Sequence, residues 1–195
     1  MKKLLILITA LLASSPLFAK EGEIGLGVDV GFGFVDIGAK DTAQTIANLA
    51  GSTVTYSYDL GALAGRLYFD YGVSDDLLLE AGYFQSGDID AKYTLSGTTV
   101  TETYSVNGFD IAAVYAPSNE GYFFKGGFHS SEITGNASIT ISGTTYAAKA
   151  TASGGGYLIG GGFDYGESRY GYTYYANIGG NTDANVGLLY YGWKF

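Results

Sequence analysis

The sequence predicts an all-β chain that closes into an antiparallel up-and-down transmembrane β-barrel of about eight strands. Three observations predict it. Large apolar residues alternate at period two with small or polar ones through most of the chain; turn signals separate the alternating stretches; and 31 glycines and 18 tyrosines accompany two prolines and no cysteine. Side chains of a strand point alternately to its two faces, so such alternation gives each strand one apolar face and one of different character. Abundant Gly and Tyr with scarce Pro favours sheet over disorder or collagen. Without Cys, neither disulfides nor thiolate metal sites hold the domain together.

The N-terminus has the layout of a secretory signal peptide: Lys2 and Lys3, an apolar run over residues 4–12, then Ser14-Ser15-Pro16-Leu17-Phe18-Ala19. Its apolar run falls short of the about 20 residues that a membrane-spanning helix needs. Residues 1–19 are therefore expected to be removed and residues 20–195 to form one barrel domain. The formal net charge of −9 becomes more acidic when Lys2 and Lys3 leave with the leader. Nucleic acid is thereby set aside as a partner, since it requires a basic footprint.

In the first strand Ile24, Leu26, Val28, Val30, Phe32 and Phe34 share one face, against Glu23, Gly25, Gly27, Asp29, Gly31 and Gly33 on the other. Glycines fit the crowded inside of a narrow barrel, which turns the large apolar residues outward to lipid. The second strand is expected over residues 54–71, with Leu63, Leu67, Phe69 and Tyr71 outward; Tyr56, Tyr58 and Leu60 fall on the other parity, and a bulge near Gly61 would reconcile the halves. After a turn at residues 72–76, the third points Leu77, Leu79, Ala81 and Tyr83 outward. The fourth ends with Phe109, Ile111, Ala113 and Tyr115, before a turn at residues 117–120.

The fifth strand alternates Tyr122, Phe124, Gly126 and Phe128 with Phe123, Lys125, Gly127 and His129. The sixth places Tyr157, Ile159, Gly161, Phe163 and Tyr165 outward, and the seventh Tyr170, Tyr172, Tyr174, Ala176 and Ile178. The eighth is carried by Leu189, Tyr191, Trp193 and Phe195. Short turns alternate with long connections, which assigns the short ones to the periplasm and the long ones to the outside. The long connections at residues 93–106 and 133–153 could also be read as two further crossings, making ten; their scarcity of large outward residues favours eight. A lipid-facing sheet must close, since hydrocarbon tolerates no unpaired edge.

The ending Tyr191-Gly192-Trp193-Lys194-Phe195, the Leu77-to-Tyr83 strand opening and the eight dyad-repeat strands resemble the OmpA/OmpX-type small outer-membrane barrels of Gram-negative bacteria. The resemblance covers the mature chain as a pattern. It implies an outer-membrane location, contact with lipid and lipopolysaccharide, and a monomer. Leu189, Tyr191, Trp193 and Phe195 resemble the C-terminal signal read by the barrel-assembly machinery.

Barrels of about eight strands have interiors filled by side chains. The inward positions include Asp29, Arg66, Glu80, Asp110, Lys125, Asp164, Arg169 and Lys194, with Arg66 and Glu80 near-opposite across one hairpin and Asp164 and Arg169 flanking another. Charges withdrawn from water persist when paired. These eight are expected to form a lumen network, and a gate for a narrow ion path is the alternative. The two long connections centre on the same Ser-Gly-Thr-Thr tetrapeptide and are expected to project as hairpins whose edges could recruit an extended extracellular protein. A short helix is expected at residues 41–50. His129 and Ser131 admit a remote third reading, a lipid A-modifying enzyme, but no nearby carboxylate completes a catalytic set. No cofactor, metal or catalytic residue is otherwise expected.

Overall fold

A computed structural model describes residues 21–36, 54–58, 61–95, 98–117, 121–141 and 143–195, together with Gln44, Thr45 and Asn48. The leader at 1–19 lies outside the described residues, as does most of the helix expected at 41–50, of which only those three helical residues are described. The strands are β1 (Ile24–Asp36), β2 (Val54–Tyr58), β3 (Ala62–Ser74), β4 (Leu77–Ser86), β5 (Ile89–Leu95), β6 (Thr98–Tyr115), β7 (Gly121–Ile141), β8 (Thr144–Tyr165), β9 (Ser168–Ala176) and β10 (Asn185–Lys194). One sheet contains them all.

Eight of the ten form a ring in the order β1, β3, β4, β6, β7, β8, β9 and β10. It is closed by β10 pairing back onto β1 and by the β6–β7 ladder. Every neighbouring pair is antiparallel. Closure leaves no ring strand with an unpaired edge where it crosses the hydrocarbon. The seam is tied beyond the ladder by Phe195, whose N–H donates to Leu26 O at 2.7 Å and whose carbonyl accepts from Leu26 N–H at 3.1 Å.

The outward face follows the dyad pattern. Phe32, Leu63, Phe69, Leu79, Phe109, Phe128, Ile159, Tyr172 and Leu189 are all exposed, and so are Val30, Phe34, Leu67, Tyr71, Tyr83, Ile111, Phe124, Tyr157, Tyr170 and Tyr191 at alternate positions on the same strands. Soluble monomers rarely show contiguous apolar patches beyond a few hundred Å²; here the belt runs round the whole ring, as a hydrocarbon surrounding requires. The turns at 75–76 and 166–167 and the Phe195 seam lie at one end. At the other end β6, β7 and β8 run past the ring and continue as a projecting sheet.

Two expectations need correction. Residues 54–71 are not one strand with a bulge near Gly61. The chain forms β2, which pairs only with β5 in the projecting sheet, and separately β3, which pairs with β1 and β4 in the ring. The parity switch marked a change of partner, and residues 59–60 between the two lie outside the described set. Ala176 and Ile178, expected to face outward, are buried. β9 ends at Ala176, and a 3-10 turn at Ile178–Gly180 carries the Ile178 side chain into the barrel mouth. That turn requires left-handed backbone at Asn177 (φ 62°), Gly179 (φ 63°) and Gly180 (φ 74°), residue types that tolerate it.

Candidate functional site

Two regions concentrate polar groups and unpaired backbone: the lumen and the projecting sheet. In the lumen all eight charged positions named from the sequence are buried. Six form one continuous chain. Arg66 donates through Nε and Nη2 to Asp110 at 2.9 and 2.7 Å, and through Nη1 to Glu80 at 2.7 Å. Glu80 accepts a second guanidinium, that of Arg169, which grips Asp164 at 2.7 Å. Lys194 Nζ closes on Asp164 at 2.7 Å. The six side chains come from β6, β3, β4, β9, β8 and β10, so the network ties together strands that do not neighbour one another.

Arg66 reaches Glu80 diagonally. Glu80 stands directly opposite Asp70, and Arg66 opposite Phe84. Asp164 and Arg169 are a direct cross-strand pair. Asp29 joins the edge of the network at 3.6 Å from Arg66. Lys125 makes no hydrogen bond and lies 5.0 Å from the Tyr190 ring centroid.

The sequence reading passed over residues of the same inward parity that complete this layer. Asp70 is buried beside Glu80. The Tyr68 ring lies 4.5 Å from Arg66 Cζ and 5.7 Å from Arg169 Cζ, and Phe123 covers Arg169 at 4.2 Å. Tyr175 donates its hydroxyl to Asp110 at 3.0 Å. All four lie on the inward parity of their strands, so the period-two alternation locates them as it locates the eight charges.

Toward the projecting end the filling turns apolar. Val35, Ile89, Val106, Ile178, Ala184 and Val186 belong to one buried cluster that caps the charged layer. His129 and Ser131 sit at this border and are both engaged by backbone. His129 Nε2 lies 2.8 Å from Ala176 O, and Ser131 Oγ accepts the Gly179 N–H at 3.0 Å. The ring of His129 packs edge-on against Phe84 and Tyr175. The pair seats the end of β9 and the 3-10 turn, and no hydrogen bond joins the two residues to each other.

The projecting sheet has the order β2, β5, β6, β7, β8. Its outer face is stitched by threonine pairs, Thr94 with Thr99 at 2.8 Å and Thr140 with Thr145 at 3.0 Å, a favourable cross-strand combination. On its inner face Glu102 accepts the hydroxyls of both Tyr93 and Tyr104. Burial, then those hydrogen bonds to the carboxylate, push both phenols well above the usual tyrosine value. Along β8, residues 144–153 pair with β7 on one side only, because the ladder to β9 begins at Tyr157. Every residue from 144 to 153 is exposed, and the only charge among them is Lys149. Of the repeated tetrapeptide tips, Ser96, Gly97 and Ser142 lie outside the described residues.

No family model and no curated protein matches the sequence. Solved structures match in fold. Ail, the attachment invasion locus protein of Yersinia pestis, is 14% identical with a TM-score of 0.54, covering 90% of this chain and 99% of that one. The same protein in complex with the heparin analogue sucrose octasulfate matches at 12% identity and 0.54, covering 89% and 99%. OprG, an outer membrane protein of Pseudomonas aeruginosa, matches at 12% and 0.50, covering 91% and 97%. At these identities the likeness is one of fold, and the fold is that of the small OmpA/OmpX-type outer-membrane barrels.

Proposed function

We propose that the chain is a non-enzymatic outer-membrane barrel that uses its projecting sheet to bind an extended polypeptide outside the cell. The observation that carries this reading is the open edge at residues 144–153: ten consecutive exposed residues with one ladder unused, no proline and a single charge. Natural sheets normally blunt such an edge. An extended strand is what an open ladder recognises, its backbone making the hydrogen bonds and its alternate side chains supplying specificity. The inner face beside the edge offers Ala148, Ala150 and Ala152 with Ala137 and Ile139 across the ladder, a surface for alternate small apolar side chains.

The polysulfated ligand of the Yersinia pestis structure does not carry over. The described residues of this end carry two lysines, Lys92 and Lys149, and six acids, Asp36, Asp88, Asp90, Glu102, Glu132 and Asp183, a balance that repels a polyanion. The binding test uses the barrel in lipid nanodiscs against an array of extended peptides with alternating apolar and polar residues. Binders are expected to be lost when Ala147→Pro and Lys149→Pro remove N–H donors from the open edge, which alternate with the residues bonded to β7, and kept with Ala147→Ser and Lys149→Ser. Binding that survives the prolines refutes the edge reading.

In this reading residues 1–19 export the chain, Leu189, Tyr191, Trp193 and Phe195 present the assembly signal on the closing strand, and the buried lumen charges stiffen the wall. A narrow ion path is the second reading. It is favoured by the Asp29 carboxylate and Lys125 Nζ, which are buried without hydrogen-bond partners. The apolar cap above them opposes it.

A further inference from the structure

The barrel exterior carries a groove of ≈ 450 Å³ across β1, β3 and β4. Gly65 is its floor, with Val30 directly opposite on β1 and Gln85 directly opposite on β4. Leu63, Leu67 and Tyr83 wall it and are exposed. Along β3 the outward positions read Leu63, Gly65, Leu67, Phe69 and Tyr71, so the groove is where one large side chain is missing from the belt.

Nothing inside the barrel demands that glycine. A Cβ at Gly65 would meet only the Asp29 carbonyl oxygen, at 3.4 Å, an ordinary contact, and its φ is not in the left-handed region. Gly31 differs: its Cβ would come within 2.6 Å of Tyr190 Cα. Gly65 therefore serves the space outside the wall. Gln85 stands on the groove's rim in a register row with Asn107 on β6 and Glu132 on β7, where the outward residues turn from apolar to polar. The groove thus lies at the outer border of the apolar belt, at the end away from the short turns.

We propose that this groove holds one acyl chain of an outer-leaflet lipid, with the oxygen-bearing head end of the chain hydrogen-bonded to the Gln85 amide. The groove is continuous with the lipid-facing belt, so hydrocarbon is what adjoins it. Gln85 is exposed where the outward residues turn polar, the depth at which the ester, amide or hydroxyl at the start of an acyl chain lies, and its side-chain amide has both a donor and an acceptor for that group. The inference rests on the outer-membrane reading above.

The test is native mass spectrometry of the barrel extracted in mild detergent, followed by re-exposure of delipidated protein to vesicles containing lipid A. The wild-type barrel is expected to retain one lipid. Gly65→Leu, which fills the groove at the cost of only an ordinary 3.4 Å contact with the Asp29 carbonyl oxygen, is expected to retain roughly tenfold less, the loss of contact with a few methylenes. Gln85→Leu, which leaves the groove open, should also reduce retention. Gly126→Leu, at another outward glycine whose Cβ would meet only Leu158 O at 3.9 Å, should not. Equal retention by wild type, Gly65→Leu and Gln85→Leu, or none by wild type, overturns the proposal. Failure of the outer-membrane reading would show separately, as absence of the protein from the outer-membrane fraction.

Discussion

Glu80 is held by two guanidiniums, those of Arg66 and Arg169, with no exposed surface. Removing one member of a buried ion pair costs about 3–5 kcal/mol, mainly because a charge is left uncompensated. Each guanidinium here keeps a second carboxylate, Asp110 or Asp164, so Glu80→Ala should lie near the low end, about 3 kcal/mol. Urea unfolding of the barrel in lipid vesicles measures it. The loss should change little in high salt, because screening reaches buried pairs weakly. Gly31 acts at the same scale by different physics. Its Cβ would come within 2.6 Å of Tyr190 Cα across the closing ladder, so Gly31→Val should keep the seam from forming. The expected outcome is loss of the heat-modifiable band on gels, whereas Gly65→Val keeps it.

Among the elements, the β7–β8 hairpin divides into a wall half and a projecting half. Below residue 134 β7 pairs with the ring part of β6, and β8 meets β9 from Tyr157 onward. Replacing residues 136–149 with a short turn should therefore leave folding yield and heat-modifiability unchanged while abolishing peptide capture. A barrel that fails to fold after this trim would place the hairpin in the folding core. The Glu102 node belongs to the same sheet. Tyr93 and Tyr104 have raised folded-state values, so their stabilising contribution is complete below the free tyrosine value of about 10 and is lost as pH rises through the higher folded values. In a phenolate absorbance titration these two should ionise last among the projecting tyrosines, and Glu102→Gln should bring them down toward the ordinary range.

For the molecule as a whole, a charged layer and an apolar cap fill the lumen in series. Ions would have to cross Ile89, Val106, Ile178 and Val186, all nearly inaccessible, as well as part the Arg66–Glu80–Arg169 chain. Planar-bilayer recordings of the folded wild-type protein should be silent. Steady conductance that changes with Arg66→Ala would favour the ion-path reading and require the cap to move.

The sequence by itself determined a closed antiparallel barrel and the two faces of its wall, with the strand count left between eight and ten, because a period-two alternation allows only one assignment of faces once glycines must crowd inside and large apolar residues must meet lipid. Inward parity likewise placed Asp29, Arg66, Glu80, Asp110, Lys125, Asp164, Arg169 and Lys194 on the interior without any knowledge of contacts. Tertiary structure alone decided who meets whom. Arg66 binds Glu80 diagonally and Asp110 across a strand, Ile178 turns inward on left-handed backbone, and β2 leaves the ring for β5. Those outcomes depend on strand register, tilt and the narrowness of the lumen, which bring together residues as far apart in the chain as Glu80 and Arg169 and which no local pattern encodes.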